Sequence, residues 1–550
     1  MPSNPIITGF APDPSVTRIG NTFYLVTSSF HLFPGLPIYA STDLLSWKLI
    51  GNAINRSTQL SLIKSGTSLI TPDTGAAEKA PATGGLYAPT IRHRNGVTFI
   101  VCTNVIHHFN DDHSFKAKEV RFENFVISTS DIALGHWSDP IYFDFHGIDP
   151  DLFFDDDGRA YVSGSSWQTI PSTINCFEIN LQTGRKLSDE RVIWTGHSKV
   201  IPEGPHIYKR GGHYYLLDAE GGTHEGHCIS IARSQSIWGP YESCPDNPIL
   251  KPSNDLTQPF AESGYHGHGD LIQDKDGSWW LVCLGVRRDR MGRMILGRET
   301  FLTAVYWPSS QLWPIITQPI TRNLAKISPF ENTEKSASPI PSAHSTETAP
   351  SRLQPDSDMV WIRDGGANRT RFTQGGNVIS LLRSENDLDE CTHLPVSFVG
   401  RRQRQFHGSA RVSTFLDSSS HSAENKFKAG LVYYKDEHRF ARICSDSVSS
   451  SIVFEVINRA KSPPVSRRDI VRRYAVSDGM NREISFRIVH TDMSIQFSYR
   501  MCGGEGDETW HCGGQIDTLD LSGPDFTGPV IGIFATGLGN DYCTFEDVFI

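Results

Sequence analysis

One pattern recurs five times in the first 300 residues and leaves few folds open. A turn containing glycine runs into an aromatic or apolar strand in "RIGNTFYLVTSS" from residue 18, "HRNGVTFIVCTN" from 93, "DDDGRAYVSGSS" from 155, "KRGGHYYLLDAE" from 209 and "DKDGSWWLVCLG" from 274. Each copy is preceded by a short apolar strand: "DPSVT", "APTIR", "DPDLFF", "GPHIYK" and "GDLIQD". Most are followed by a third strand and a turn bearing Trp or Gly, as in "PIYASTDLLSWKLI" and "CISIARSQSIWGPY". The turn glycines Gly20, Gly96, Gly158, Gly212 and Gly277 stand about 55 to 75 residues apart, room for one small antiparallel sheet per unit. Long helical periodicity is scarce, whereas 30 Phe, 16 Tyr, 47 Gly and 32 Pro suit many short strands joined by turns. The predicted class is all-β, with a five-bladed β-propeller over residues 1–326.

From 327 to 358 the composition shifts to Ser, Pro and Thr, which predicts a linker or surface excursion. Alternating stretches then resume: "NVISLLRS", "GSARVSTFL", "AGLVYYKD", "RFARICS", "SIVFEVI", "EISFRIVH", "MSIQFSY" and "VIGIFAT". Their length and polar turns predict a β-sandwich of jelly-roll or concanavalin-like type over 359–550.

A net charge of −10 argues against nucleic acid or an anionic membrane surface as partner, and a neutral substrate fits better. No run of eighteen apolar residues exists, so no membrane helix is expected. The start "MPSNPIITGF" shows no signal peptide, which points to the cytoplasm, or to secretion if a leader has been trimmed. Ten cysteines, five before residue 330 and five after, lack zinc spacing and read as buried free thiols.

The chemistry is concentrated where the first strands begin. In "GFAPDPSV" and "GIDPDLFFDDDG" an Asp stands before a Pro at the head of an apolar run, which predicts extended backbone at Ala11 and Asp13. In register, the starts are Asp13, Pro89, Asp149, Glu203–Gly204 and His268, all facing the propeller axis. Three carboxylates and one histidine converging on a cleft suit glycoside hydrolysis, which needs one acid to protonate the leaving oxygen and another to activate water. Glu203 in "IPEGPHIYK" lies beside apolar residues and other carboxylates, so its pKa should be raised. His268, between Gly267 and Gly269, could approach the axis to bind a water, a metal or a sugar. The run Asp155, Asp156, Asp157 is better explained as a hairpin turn than as a calcium loop. His107 and His108 read as a loop, and "EGGTHEGHC" (220 to 228) as a loop lining the cleft.

Taken together these stretches resemble family 43 of the glycoside hydrolases, in the β-xylosidase branch that carries a C-terminal sandwich. Matching segments run almost end to end, among them "FAPDPSV", "SSFHLFPGLPIYASTDLLSW", "GGLYAPTI", "EGPHIYK", "GHGDL", "LGRET", "VGRRQRQF" and "AGLVYY". The resemblance implies inversion at the anomeric carbon, with Asp13 as general base, Glu203 as general acid and Asp149 tuning the acid's pKa. It implies Arg298 as a contact to sugar hydroxyls, Phe30 as the wall of the first subsite and Phe526 as an aromatic reaching over the pocket from the second domain. An ordinary core position in the last hairpin is the competing reading of Phe526. No cofactor is required by the resemblance, although some members carry Ca2+ at the axis, where His268 is the candidate ligand. Tyr87 stands where Trp is commoner, Thr90 where Asp often follows the Pro, and His31 and Leu32 where an acid and an aromatic are frequent. These departures bear on the sugar preference. The expected activity is exo-acting release of terminal β-D-xylose from xylo-oligosaccharides, with α-L-arabinofuranose as a second or main substrate. A sugar-binding propeller without catalysis is the alternative of another class, and homo-oligomerisation stays open.

Overall fold

The computed structural model describes residues 3–70, 79–108, 120–251, 263–324, 358–363, 370–372, 378–389, 396–416, 426–461, 470–476, 482–502, 509–523, 525–539 and 541–550. The stretch 327–357 of the expected linker lies outside them.

Each of the five glycine turns joins the first two strands of a four-stranded antiparallel blade. Blade 1 runs Ser15–Ile19, Thr22–Val26, Gly35–Ser41 and Lys48–Ile54. Blade 2 runs Gly85–Arg94, Val97–Ile106, Arg121–Thr129 and Ile141–Phe143, and blade 3 Gly147–Phe154, Ala160–Ser166, Thr173–Glu178 and Arg191–Trp194. Blade 4 holds Glu203–Arg210, His213–Glu220, Cys228–Ser234 and Glu242–Ser243; blade 5 holds Ser263–Gln273, Trp279–Arg287, Arg298–Tyr306 and Ile315–Ile316. No α-helix occurs among the described residues.

The near-continuous apolar second strands follow from this stacking. A blade is covered on both faces, so successive side chains enter different cores. In "WWLVCLG" Leu281 and Cys283 pack with Tyr215 and Ile229 of blade 4, while Val282 packs with Val16 and Leu25 of blade 1. The ring is closed by the chain's beginning. Asn4 Nδ2 donates to Leu302 O at 2.8 Å and its Oδ1 accepts from Leu302 N at 2.9 Å, while Ala11 N donates to Arg298 O at 2.9 Å.

All eight alternating stretches of the second half are strands, and they form two packed sheets. One contains Phe427–Asp436, Arg439–Asp446, Ser451–Asn458 and Val530–Gly537; the other contains Gly408–Leu416, Arg482–His490, Ser494–Cys502 and Ile379–Leu382. The architecture is therefore a five-bladed propeller followed by a β-sandwich. The two parts share structure. Residues Leu32–Phe33 of the propeller add a short strand to the edge of the eight-stranded sheet, pairing Leu32 with Ile362 and Phe33 with Trp361. Around this seam Phe10, Phe30 and Leu32 pack in one core with Val360, Phe398 and Phe534. Arg404 caps the seam, donating to Thr8 O at 2.7 Å and Tyr39 OH at 3.0 Å. The eight cysteines whose side chains are described are free, and all but Cys512 are buried.

Candidate active site

A β-bulge at the start of the first strand shapes the site. In blades 2 to 5 the pairing slips by one residue at Tyr87/Thr90, Ile148/Asp151, Glu203/His206 and Gly267/Gly269. The extra residue leaves the pleat and turns its side chain off the sheet. Asp149 (φ 56°), Gly204 (φ 54°) and His268 (φ 38°) occupy it in blades 3, 4 and 5, and Asp13 (φ 52°) is their counterpart in blade 1. Asp13 is thus not extended, as the following proline suggested; the backbone is held left-handed between Pro12, whose O accepts from Ser28 N at 3.1 Å, and the strand pairing that begins at Ser15. Strain of this kind costs on the order of 1–3 kcal/mol per residue and persists where surrounding contacts hold it. Ser28 Oγ donates to Asp13 Oδ2 at 2.6 Å, and Gly204 N donates to Asp149 Oδ2 at 3.1 Å. Glu203 is the last residue before its bulge, the position Tyr87 holds in blade 2.

Asp13, Tyr87, Asp149, Glu203 and His268 line a cavity of about 480 Å3 together with Phe30, Thr223, His227, Arg298 and Phe526. Arg298 is 4% exposed; its Nη2 donates to Thr223 O and Oγ1, both at 2.7 Å, and its Nη1 lies 3.9 Å from Asp13 Oδ1. The "EGGTHEGHC" loop therefore lines the cleft as expected, through Thr223 and His227, while His224 stacks on Phe526 at 6.2 Å. His107 follows the end of its strand and also borders the cavity, with Nδ1 2.8 Å from Gly66 O. The acidic turn is a turn: Asp155 accepts from Lys209 Nζ at 2.5 Å and Tyr214 OH at 2.6 Å.

Burial decides the protonation of the floor. Loss of water pushes Glu203 up to about 7, with Arg298 opposing and Asp13 assisting. Burial also raises Asp149 well above the usual carboxylate range, and the negative charges of Glu203 and Asp13 add to it. The two carboxyls titrate as a pair and hold a proton that isolated acids would have lost. His227 does not neutralise Glu203, although its Nδ1 is 3.7 Å from Oε1. That Nδ1 lies 2.6 Å from Gly222 O and donates there, and burial lowers the imidazole to about 3. A Cβ on Gly267 would stand 1.6 Å from this ring, so glycine is needed there for His227 to pack.

The roof comes from the sandwich. Phe526 stacks on Phe30 (centroids 6.0 Å, 23° between planes), meets Tyr87 edge-on at 6.2 Å and carries the Arg298 guanidinium 4.8 Å above its ring. It lies in a loop before Val530–Gly537, half-buried, outside the core between the sheets. Tyr87 OH donates to Thr83 O at 2.7 Å, which fixes the ring beside Phe30 at 4.9 Å.

The residues around His268 do not suit a hard cation. Its Nδ1 is 3.8 Å from Asp149 Oδ2, and burial keeps the ring neutral by lowering its pKa to about 4. Asp151 and Asp270, the carboxylates at the axis, are both engaged by Arg92. Among the described residues no three His, Cys, Asp or Glu side chains are grouped to hold a metal. Sequence reasoning missed Ser28, for which nothing local signals a role, and Arg92, whose charge within the apolar "APTIR" strand was a usable sign.

A five-bladed propeller with an axial pocket, and acids that stay protonated near neutrality beside one that faces an arginine, is the equipment of a glycosidase. The chain belongs to the glycosyl hydrolases family 43, whose model matches residues 2–312; the model of the "Beta xylosidase C-terminal Concanavalin A-like domain" matches 359–548. It is 32% identical to a non-reducing end α-L-arabinofuranosidase of Bacteroides ovatus over 98% of this chain and 91% of that protein. It is 30% identical to a xylosidase/arabinosidase of Humicola insolens over 97% and 94%. The crystal structure of a xylan β-1,4-xylosidase from Bacillus halodurans superposes with a TM-score of 0.78 at 26% identity, covering 99% of both chains.

Proposed function

We propose that the protein is an exo-acting, inverting glycosidase that releases terminal β-D-xylose from xylo-oligosaccharides and also accepts terminal α-L-arabinofuranose. The observation that carries the reading is the pocket itself: carboxyls on the floor, Arg298 on one side and a roof of Phe30 and Phe526. A cavity closed in this way admits the end of a chain and excludes its middle. Asp13, hydrogen-bonded by Ser28 and near Arg298, serves as general base toward water. Glu203, protonated near neutral pH, serves as general acid to the leaving oxygen, and Asp149 keeps that proton in place. Xylopyranose and arabinofuranose present similarly placed hydroxyls, so one set of contacts serves both. The arabinofuranosidase reading as main activity draws on the relative from Bacteroides ovatus, which matches almost the whole chain. A binding protein without catalysis has no use for a carboxyl pair raised in pKa. Hydrolysis of xylobiose followed by NMR tests the proposal; the first product should carry the inverted anomeric configuration, and a retained anomer would sink it. Parallel rates on nitrophenyl xyloside and arabinofuranoside rank the two sugars.

Two outcomes follow from the geometry. Because Glu203 must carry a proton, kcat/KM should fall as pH rises through about 7, the value burial sets. The folded pKa lies above the ordinary 4.5, so the folded state binds the extra proton between the two values; stability should decline as pH rises from 4.5 to about 7 and level off above, where kcat/KM falls. A pH–rate profile set against thermal melts checks both. Replacing Phe526 by alanine should raise KM for xylobiose roughly threefold to tenfold, the worth of one aromatic contact. The melting temperature should fall only modestly, because the ring is half-buried and packs at the edge of the seam core rather than within it. A large loss of stability with unchanged KM would make Phe526 a packing residue.

A further inference from the structure

Beneath the pocket a guanidinium fills the propeller axis. Arg92 leaves the first strand of blade 2, and its Nη1 donates to Asp270 Oδ2 of blade 5 at 2.7 Å and to Ser15 Oγ of blade 1 at 3.2 Å. Its Nη2 donates to Asp151 Oδ1 of blade 3 at 2.9 Å and lies 3.0 Å from Nδ1 of His206 in blade 4. One side chain thus touches every other blade. The acceptors are held in turn: Ser15 Oγ donates to Asp270 Oδ2 at 2.7 Å, Tyr208 OH to Asp270 Oδ1 at 2.6 Å, and Ile207 N to Asp151 Oδ2 at 2.9 Å. Asp151 and Asp270 have no exposed surface, and a buried carboxylate without a counter-charge is strongly disfavoured. The planar fork of arginine meets two carboxylates and a hydroxyl at once, which a lysine ammonium does less well.

The spacing links this network to the pocket. Ser15, Asp151, His206 and Asp270 each stand two residues after Asp13, Asp149, Gly204 and His268, the residues turned out by the bulges. Between them lies a single proline or glycine. Holding the four axial side chains therefore fixes where each bulge leaves its strand. The His206 ring also meets the His268 ring at 6.1 Å, nearly perpendicular, next to Asp149.

We infer that Arg92 is the internal counter-ion of the propeller axis, standing where a divalent cation could otherwise bind, and that it is a positioning residue for Asp13, Asp149 and Glu203. The second part rests on the proposed roles of those carboxylates. The first part is tested on the wild-type enzyme by exhaustive chelation followed by addition of CaCl2. Melting temperature and kcat should change with neither, and a fall on chelation restored by CaCl2 would overturn the counter-ion. For the second part, Arg92→Lys keeps the charge but loses the fork. The kcat on nitrophenyl xyloside should drop on the order of tenfold or more, as displacements near 1 Å do, with KM little altered. The alkaline midpoint of kcat/KM should also move down as water reaches a loosened Glu203. Should this variant fail to fold, Ser15→Ala removes only the hydroxyl between Arg92 and Asp270 and should shift the same two quantities less. Wild-type kcat and an unmoved alkaline midpoint in the folded variant would confine Arg92 to a structural role. An enzyme inactive on xylosides and arabinofuranosides would defeat the proposed function, while the melting experiment would still decide the counter-ion.

Discussion

Asp13→Asn is expected to lower kcat on xylobiose by ~10²–10⁴-fold while KM stays close to that of the wild type, the span usual for losing one acid–base group. Asparagine is the informative replacement because it tolerates the left-handed region that Asp13 occupies at φ 52°, so the bulge survives. The amide oxygen still accepts from Ser28 Oγ, whose bond to Asp13 is 2.6 Å. What is removed is the charge proposed to take a proton from water. Sugar binding should persist, since Arg298 and the Phe30–Phe526 pair, the proposed sugar contacts, are left in place. Steady-state kinetics beside isothermal titration with xylose separate the two effects. A variant that retains near-normal kcat would take Asp13 out of the base role.

Glu203→Gln should cost as much on xylobiose, again ~10²–10⁴-fold, but far less on a dinitrophenyl xyloside. A sugar alkoxide is a poor leaving group and needs the proton; a dinitrophenolate departs without one. The alkaline limb should also flatten, because the group raised to about 7 is no longer there to titrate. Equal losses on both substrates would mean that Glu203 positions the sugar and is not the acid. The contrast with Asp13→Asn matters here, for a lost base penalises good and poor leaving groups alike.

How much could be read in advance differs from one feature to the next. The five blades were legible because each is built locally: a glycine turn between two neighbouring strands leaves its mark within about twelve residues. Eight of the sandwich strands were legible through alternation alone. Asp13, Asp149 and Glu203 stood out because a proline or glycine beside an acid at the head of an apolar run is an unusual local pattern. What the residues alone could not convey was conformation imposed from outside. The rule for a residue before proline pointed to an extended Asp13, whereas a backbone hydrogen bond from Ser28 to Pro12 before it and the strand from Ser15 after it hold it left-handed. The edge strand Leu32–Phe33 is too short to register by periodicity, and only its partner Trp361–Ile362 makes it a strand.

The same division runs through the site. Local sequence determined which acids the propeller presents and on which blades, since strand register is a near-neighbour property. Tertiary structure decided their chemistry. Glu203 keeps its proton because of surroundings gathered from several blades, and Phe526 roofs the pocket because a sandwich loop is brought against Phe30 and Tyr87. Arg92 faces Asp270 across 178 residues of chain, and no window on the sequence contains both. Burial and charge pairing depend on distance in space, and the folded chain alone sets that distance.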